Sequence, residues 1–230
     1  MTDRLQTELV EYSDSRLDDV RALIAESCRD LLPVEVARTA LARYIHSEDF
    51  DALAWQEAGR FFEFGTHDEC WWIRRKAALP AATDGRVLGL RLDVGFQTGV
   101  GHGAILYLDG REYESFTPKM PHLFGGHEIS ILPKEFAARK EAEFLLKFYA
   151  GRDHGPIGKA RPRLLEAFEL VWFDPTAAKL FYTGMAVRRL LRTLEAGSGT
   201  HQELAELLKA SLARIDFSTG AASARATLAR

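Results

Sequence analysis

The sequence is poor in the features that identify many protein classes. Its 230 residues include only two cysteines, Cys28 and Cys70, which is too few for a disulfide scaffold and gives no zinc-site spacing. The two could pair, but free thiols in a reducing compartment are the simpler interpretation. The net charge is −3 and charges of both signs are interleaved, which argues against a nucleic-acid surface.

Long hydrophobic runs are also absent. No stretch approaches the ~20 apolar residues of a membrane span, and the N-terminal sequence MTDRLQTELVEYSDSR has no apolar run behind a positive segment, which argues against a signal peptide. The hydrophobic content of 47% is ordinary for a globular protein. We therefore expect a cytoplasmic globular protein that binds neither a membrane nor nucleic acid.

Self-contained catalytic motifs are missing too. There is no Gly-x-Ser-x-Gly nucleophile motif, and the glycine-rich 99–103 stretch precedes a strand instead of opening a helix, unlike a phosphate-binding loop. His102, His122 and His127 lie in the middle of the chain, but no His-x-His, His-x-Asp or HExxH spacing accompanies them. Solvated or core histidines are favoured over a metal site, and we expect no cofactor in this chain.

The middle of the sequence predicts β-strands. Between Leu88 and Val94, large apolar residues alternate with Gly, Arg and Asp, which is the period of a strand with one buried face. Asp109-Gly110, between ILYL and REYES, is a strong two-residue hairpin signal. HEISIL and EFLLKFYAG read as further strands; LLEAFELVWF fits a helix or a strand, and we favour a strand that closes the β-unit.

Both flanks predict helices. Ser15 and Asp18 resemble a capping box beside an apolar stripe, and a second stripe runs from Val36 to Ile45. Asp174-Pro175 is a helix start, because Asp caps the first N–H groups and Pro fits the first turn. Further helices are expected after the turn at 197–199.

These patterns together predict an α+β fold. Its centre is an antiparallel β-sandwich of jelly-roll, galactose-binding-like type, flanked by N-terminal helices and a C-terminal helical segment. The predicted boundaries are 1–58 for the N-terminal helical segment, 59–173 for the β-sandwich domain and 174–230 for the C-terminal helical segment.

Strand aromatics and carboxylates are the candidate site residues. Period-two alternation places Trp71 and Trp72 on opposite faces, which favours Trp72 and Tyr107 for the core and makes Trp71 the better candidate for exposure.

Glu112 and Glu114 share a strand face on either side of Tyr113. Close carboxylates can act on a glycosidic bond, although solvated charges beside a turn are the commoner situation. The candidate carbohydrate contacts are Trp71, Glu112 and Tyr113.

The order of these pieces resembles the N-terminal region of the α-mannosidases of glycoside hydrolase family 38. The family's Trp-aromatic-Arg strand, which ends in Leu/Val-Pro, is matched by Trp72-Ile73-Arg74 running to Leu79-Pro80. Its hairpin is matched by GAILYLDG at 103–110, its later strands by 127–132 and 141–151, and its helix start by DPTAAKLFY from Asp174. The similarity covers most of the chain from about residue 60 onward.

The resemblance implies a non-catalytic role for this chain. In that family a catalytic domain follows the helical tail and opens with a His-x-Asp pair that binds zinc. No such motif occurs before Arg230, so the resemblance implies that this chain holds no catalytic residue. It also implies that zinc binds in a catalytic domain outside this sequence, and that this domain is the partner of the chain. We expect the chain alone to be inactive.

Two rival interpretations remain open. One is a stand-alone carbohydrate-binding jelly-roll module without catalytic activity. The other is the sugar-binding domain of a different glycosidase, such as the β-galactosidase family, which is disfavoured because an immunoglobulin-like domain usually follows it. A homo-oligomer formed through the helical stripes after Asp174 is also open.

Overall fold

The computed structural model describes residues 2–40, 45–65, 69–81, 85–94, 103–117, 128–150, 163–195, 197–218 and 220–228, with only the backbone at 2–11 and 47. The chain divides into two compact units. One unit is Ser27–Trp172, and the other combines Met1–Glu26 with Phe173–Arg230.

The first unit is built from two antiparallel sheets. One sheet has the strand order β1-β10-β5-β8 and the other has the order β3-β2-β4-β9-β6-β7. The strands of the four-stranded sheet are β1 (Ala25–Asp30), β5 (Val87–Asp93), β8 (Ile129–Ile131) and β10 (Ala167–Phe173). Those of the six-stranded sheet are β2 (Val34–Thr39), β3 (Gln56–Ala58), β4 (Cys70–Ala78), β6 (Gly103–Leu108), β7 (Arg111–Phe116) and β9 (Glu141–Tyr149).

One hydrophobic core joins the two sheets. Leu90 and Phe168 enter it from the four-stranded sheet, and Ile73 and Phe144 enter it from the six-stranded sheet, all fully buried. Side chains from two sheets that meet in one core define a β-sandwich. The α+β class and the antiparallel sheets are therefore confirmed, while the jelly-roll and galactose-binding-like description stays a prediction.

The β6–β7 hairpin turns at the predicted dipeptide. Asp109 has φ 52° and Gly110 has φ 75°, the left-handed conformation that a two-residue turn between twisted strands requires. Asp tolerates this region better than most residues, and Gly adopts it without cost. Within LLEAFELVWF, residues Ala167–Phe173 form β10, so the strand favoured above is confirmed.

The helix predicted from Val36 to Ile45 is wrong. Residues Val34–Thr39 form β2, and Ile45–Ser47 forms a turn of 3₁₀-helix. Val34 and Val36 are buried and Glu35 is exposed, so the segment also satisfies the strand period. The pairing of Val36 with Ile73 on β4 stabilises the strand. Both residues are β-branched, and such residues suit a pleated, half-buried surface. In the described part of the predicted helical segment 1–58 there are thus three strands, and α1 (Thr2–Ile24) and that 3₁₀ turn are its helical parts.

The second unit is helical. It contains α1, α3 (Pro175–Thr193), α4 (Gly199–Ala213) and α5 (Ala221–Leu228), whereas the short α2 (Lys134–Ala137) belongs to the sandwich. Asp174 caps α3 as predicted, but Ser15 lies inside α1 instead of capping it. Leu17, Val20 and Leu212 are among the buried residues of its core.

Two further properties follow from the described residues. Neither Cys28 nor Cys70 forms a disulfide within the described residues, as expected. None of the helices in the described part of the chain is long and apolar enough to cross a membrane.

Candidate functional site

The outward face of the six-stranded sheet carries the candidate site. Alternation along β4 sends Ile73 into the sandwich core and leaves Trp72 and Arg74 on the opposite face. On β9 the same alternation buries Phe144 and Leu146 and turns Glu143 and Leu145 outward. The site is therefore built on the side of the sheet that does not face the other sheet.

One row of side chains crosses five strands of this face. Register pairs Glu35 with Arg74, Arg74 with Leu145, Leu145 with Tyr107, and Tyr107 with Glu112. We call Glu35, Arg74, Leu145, Tyr107 and Glu112 the groove row. Neighbouring strands lie about 4.8 Å apart, so the row spans roughly 19 Å. Its two ends are charged and its centre is apolar.

The segment 45–55 covers part of this face. Oε2 of Glu48 accepts hydrogen bonds from Oγ1 of Thr39 at 2.7 Å and from Nε1 of Trp72 at 3.2 Å. Trp55 closes the segment on itself, because its Nε1 donates to the carbonyl oxygen of Phe50 at 2.8 Å. These bonds hold the segment against β2 and β4.

Four aromatic rings follow one another under and beside that segment. The ring centroids of Phe50 and Trp55 are 6.4 Å apart, those of Phe50 and Trp72 are 5.2 Å apart, and those of Trp72 and Tyr107 are 5.6 Å apart. Trp72 and Tyr107 are 0% and 3% exposed, so their predicted burial is confirmed. They are buried on the outward face, where Phe50 contacts Trp72, and not in the core between the sheets.

A groove of about 340 Å³ opens beside the aromatic rings. This volume is at the lower end of the about 300–1,000 Å³ of ligand pockets. The groove, which we call the outer groove, is lined by Phe50, Arg74, Tyr107, Asp109, Gly110, Glu143 and Leu145.

Ion pairs fix two of the charged groups that line the outer groove. Nε of Arg74 donates to Oε2 of Glu35 at 2.8 Å, and this bond holds the pKa of the Glu35 carboxyl below its usual value. Asp109 accepts two bonds from Arg139, at 2.8 and 2.7 Å, which lower the pKa of Asp109. Among the described residues, no side chain hydrogen-bonds the exposed carboxylate of Glu143.

Tyr107 is the strongly perturbed titratable group of the outer groove. Burial, followed by the charge of Glu112, raises the pKa of Tyr107 to about 12. Its hydroxyl donates to Oε1 of Glu112 at 3.2 Å. The phenol therefore stays protonated at neutral pH and donates its hydrogen bond to Glu112, the end residue of the groove row.

Trp71 lies away from this groove. It is half-buried and packs against the sandwich core, with its ring centroid 5.5 Å from that of Phe62 and 6.0 Å from that of Phe64. Its Nε1 donates to the carbonyl oxygen of Phe64 at 2.7 Å. The indole is thus engaged within the protein, on the opposite face of β4 from Trp72.

The other two predicted contacts lie on β7, the edge strand. Glu112 stands at the end of the groove row, next to Tyr107. Tyr113 is 42% exposed, and its hydroxyl donates to the carbonyl oxygen of Ile131 at 2.6 Å. Two strands, β9 and β6, separate β7 from the strand of Trp71, so the structure does not bring the three predicted residues together.

Sequence analysis assigned a ligand-binding role to none of the residues that line the outer groove. The sequence of β9 does carry a usable signal. Its alternation puts Phe144 and Leu146 on one face and Glu143 and Leu145 on the other. Phe50 carries no periodic signal, because it lies in an irregular segment. In the basic run Arg74-Arg75-Lys76, Arg74 is paired with the carboxylate of Glu35.

The described acidic and histidine side chains do not converge as metal ligands do. No group of three or more His, Cys, Asp or Glu side chains within the described ranges could hold a metal ion. His102, His122 and His127 lie outside the described residues. The outer groove thus offers hydrogen-bonding and aromatic contacts.

Two solved structures illustrate what this chain is similar to, and both likenesses are distant. No family model matches the sequence, and no curated protein matches it significantly. A β-glucuronidase from Ruminococcus gnavus, solved with an N1-substituted uronic isofagomine, is similar over 65% of this chain at 11% identity with a TM-score of 0.36. A Clostridium perfringens ZmpB structure, of CBM51-2 with GlcNAc and INT domains, is similar over 84% of this chain at 10% identity with a TM-score of 0.19.

The chain spans 30% and 40% of the lengths of these two structures. At such TM-scores the two likenesses assign neither a fold family nor a function to the chain.

Proposed function

We propose that this chain is the N-terminal, non-catalytic domain of an α-mannosidase-type glycoside hydrolase. The proposal is carried by the order of elements, which follows the motif order of the resemblance. The Trp72-Ile73-Arg74 strand is β4, the Asp109-Gly110 turn joins β6 to β7, β9 follows, and a helix starts after Asp174.

In this proposal the catalytic chemistry belongs to a following domain. That domain would hold zinc through a His-x-Asp pair and hydrolyse α-mannosides, while the sandwich and the helical unit pack against it. The charged and aromatic side chains of the described β-unit would then serve contacts with sugar or with that domain.

The reading frame downstream of codon 230 tests this proposal. We expect an in-frame His-x-Asp pair within a few dozen codons. The protein expressed through that region should hydrolyse 4-nitrophenyl α-mannoside and lose activity on zinc chelation, whereas residues 1–230 alone should show no hydrolysis. A frame that continues without the pair, or that stops, contradicts the proposal.

A second candidate function is a stand-alone carbohydrate-binding module. The outer groove favours it, because aromatic rings and charged groups lie together on one sheet face. Two of the four tryptophans, Trp55 and Trp72, lie at this face, so bound sugar should change the tryptophan fluorescence. An unchanged signal with mannose oligosaccharides at millimolar concentration counts against this candidate.

A further inference from the structure

The outer groove combines an apolar floor with polar walls. Leu145 and Tyr107 form the centre of the groove row, and the half-buried Phe50 stands beside them. Arg74 lies toward the β4 side, while Asp109 and the exposed Glu143 supply carboxylates. A ligand in the groove therefore meets one flat apolar surface and several charged hydrogen-bonding groups.

The charges of the groove argue against an anionic ligand. Within the lining, the charge of the Arg74 guanidinium is balanced by Glu35 and that of Asp109 by Arg139. The exposed carboxylate of Glu143 remains, and an anion would approach it with no unbalanced cation in the lining, which is unfavourable.

The surroundings equally argue against a strongly cationic ligand. Arg74 lines the groove, and Arg139 lies beside it, paired with Asp109. Lys76 is paired with Glu141, which lies two residues before Glu143 on β9. Nζ of Lys147 lies 5.7 Å from the ring centroid of Trp72 on the same face. A neutral molecule with many hydroxyl groups avoids both kinds of repulsion.

A pyranose ring has the two surfaces that this groove offers. Its C–H face is flat and apolar and can rest on an aromatic side chain. Its hydroxyls can donate to a carboxylate and accept from a guanidinium, and such charge-assisted hydrogen bonds are stronger than neutral ones. We propose that the outer groove binds a neutral pyranoside, with Phe50 as the stacking surface and Glu143 and Arg74 as the hydroxyl contacts.

This inference rests on the carbohydrate-related function proposed above, and it adds a site and a ligand class. It moves the sugar contacts from Trp71 and Tyr113 to the opposite side of β4 and to β9.

Amide chemical-shift mapping on the ¹⁵N-labelled chain tests the site. Methyl α-mannopyranoside and α-linked mannobiose are the neutral probes, and glucuronic acid and mannosamine are the anionic and cationic probes. We expect saturable shifts with the neutral probes, centred on Phe50, Arg74 and Glu143, and weaker binding of the charged probes.

Two matched variants separate groove contacts from general effects. Glu143→Ala should weaken binding about tenfold, the loss of one charge-assisted hydrogen bond. Glu141→Ala changes the same kind of residue two positions away on the same strand face, outside the groove lining, and should leave affinity within about twofold. Phe50→Ala should abolish saturation, and its thermal melting shows whether the fold is kept.

Each other outcome overturns the proposal. Absence of saturable shifts with both neutral probes removes the site. Shifts centred on Trp71 or Tyr113 keep the carbohydrate function but reject the groove, and tighter binding of a charged probe rejects the ligand class. The downstream His-x-Asp test is independent of all three, so failure of the groove and failure of the α-mannosidase assignment are distinguishable.

Discussion

The guanidinium carbon of Arg74 lies 4.0 Å from the ring centroid of Trp55. The same guanidinium donates from Nε and Nη2 to the two carboxylate oxygens of Glu35, at 2.8 and 3.3 Å. One arginine thus joins β4 to β2 and to the segment that precedes β3. Its planar fork and its flat face are both used, a combination that lysine cannot reproduce.

Replacing Arg74 should destabilise the sandwich modestly. We expect Arg74→Ala to lower the free energy of unfolding by about 0.5–2 kcal/mol, because an exposed cation–π contact is worth roughly 0.5–1 kcal/mol and a surface ion pair roughly 0–1 kcal/mol. Urea unfolding measures the change. Arg74→Lys should recover less than half of it, and a double-mutant cycle with Trp55→Ala that shows no coupling would contradict this account.

The covering segment depends on one carboxylate. Glu48→Ala should lower the free energy of unfolding by about 1–3 kcal/mol, since it leaves the indole N–H of Trp72 and the hydroxyl of Thr39 without their acceptor. Glu48→Gln keeps an acceptor oxygen and should recover much of the loss. Glu57→Ala, at an exposed position on β3, is the control and should stay within about 0.5 kcal/mol of the parent protein. Equal losses for Glu48→Ala and Glu57→Ala would refute the anchoring role.

The parts of the fold that sequence analysis predicted correctly are those with a local signal. The Asp109-Gly110 turn needs only two residues in left-handed conformation, and the cap at Asp174 needs only the N–H groups of Thr176 and Ala177. In both places the residue types themselves favour the geometry. The Val36 segment was different, because its pattern fits two periods and its pairing with β4 decides between them.

The outer groove could not be predicted because its residues are far apart in sequence. Phe50, Arg74, Tyr107 and Glu143 come from four separate segments, and strand register brings them together. A shift of one residue in the β4–β9 pairing would replace Leu145 by Phe144 or Leu146 beside Arg74, and would invert the faces. Trp72 shows the same limit: sequence analysis predicted its burial but placed it in the core between the sheets, whereas the structure buries it on the opposite face, against Phe50 of the covering segment.

Tyr107 should make stability fall at high pH. Its pKa of about 12 in the folded protein lies above the ordinary value of 10, so the folded state holds the proton more tightly than the unfolded state. The corresponding stabilisation is fully present below pH 10 and is lost as the pH rises from 10 to about 12. Urea unfolding at pH 9 and pH 11.5 should therefore show a smaller loss for Tyr107→Phe than for the parent protein.

Because the chain has six tyrosines, the titration of Tyr107 is followed as the difference in absorbance at 295 nm between a protein and its Tyr107→Phe variant. Glu112→Gln should lower the pKa of Tyr107, because the Glu112 charge is one of the causes that raise it. Burial, the larger cause, remains, so the pKa should stay above 10. An unchanged titration in the Glu112→Gln variant would show that the Tyr107–Glu112 contact does not exist in solution.

Asp174 should stabilise the start of α3. Its Oδ1 accepts hydrogen bonds from the backbone N–H groups of Thr176 and Ala177, at 2.9 and 3.0 Å. Asp174→Ala removes the acceptor and should cost about 1 kcal/mol, within the roughly 0.5–2 kcal/mol range of helix N-caps. Asp174→Ser keeps an acceptor and should recover most of the loss in thermal unfolding. Equal melting temperatures for the Ala and Ser variants would contradict the capping role.

Gly184 should be needed for the approach of α3 to α1 inside the helical unit. A Cβ at this position would lie 2.6 Å from Cδ2 of Leu17, whose side chain is 1% exposed. Gly184→Val should lower the free energy of unfolding by about 1–3 kcal/mol, the usual cost of overpacking a core. Valine is no worse a helix former than glycine, so the loss would come from packing. Ala186→Val, at an exposed position on the same helix, should cost less than 1 kcal/mol, and a loss equal to that of Gly184→Val would show that the two helices do not meet closely at Gly184.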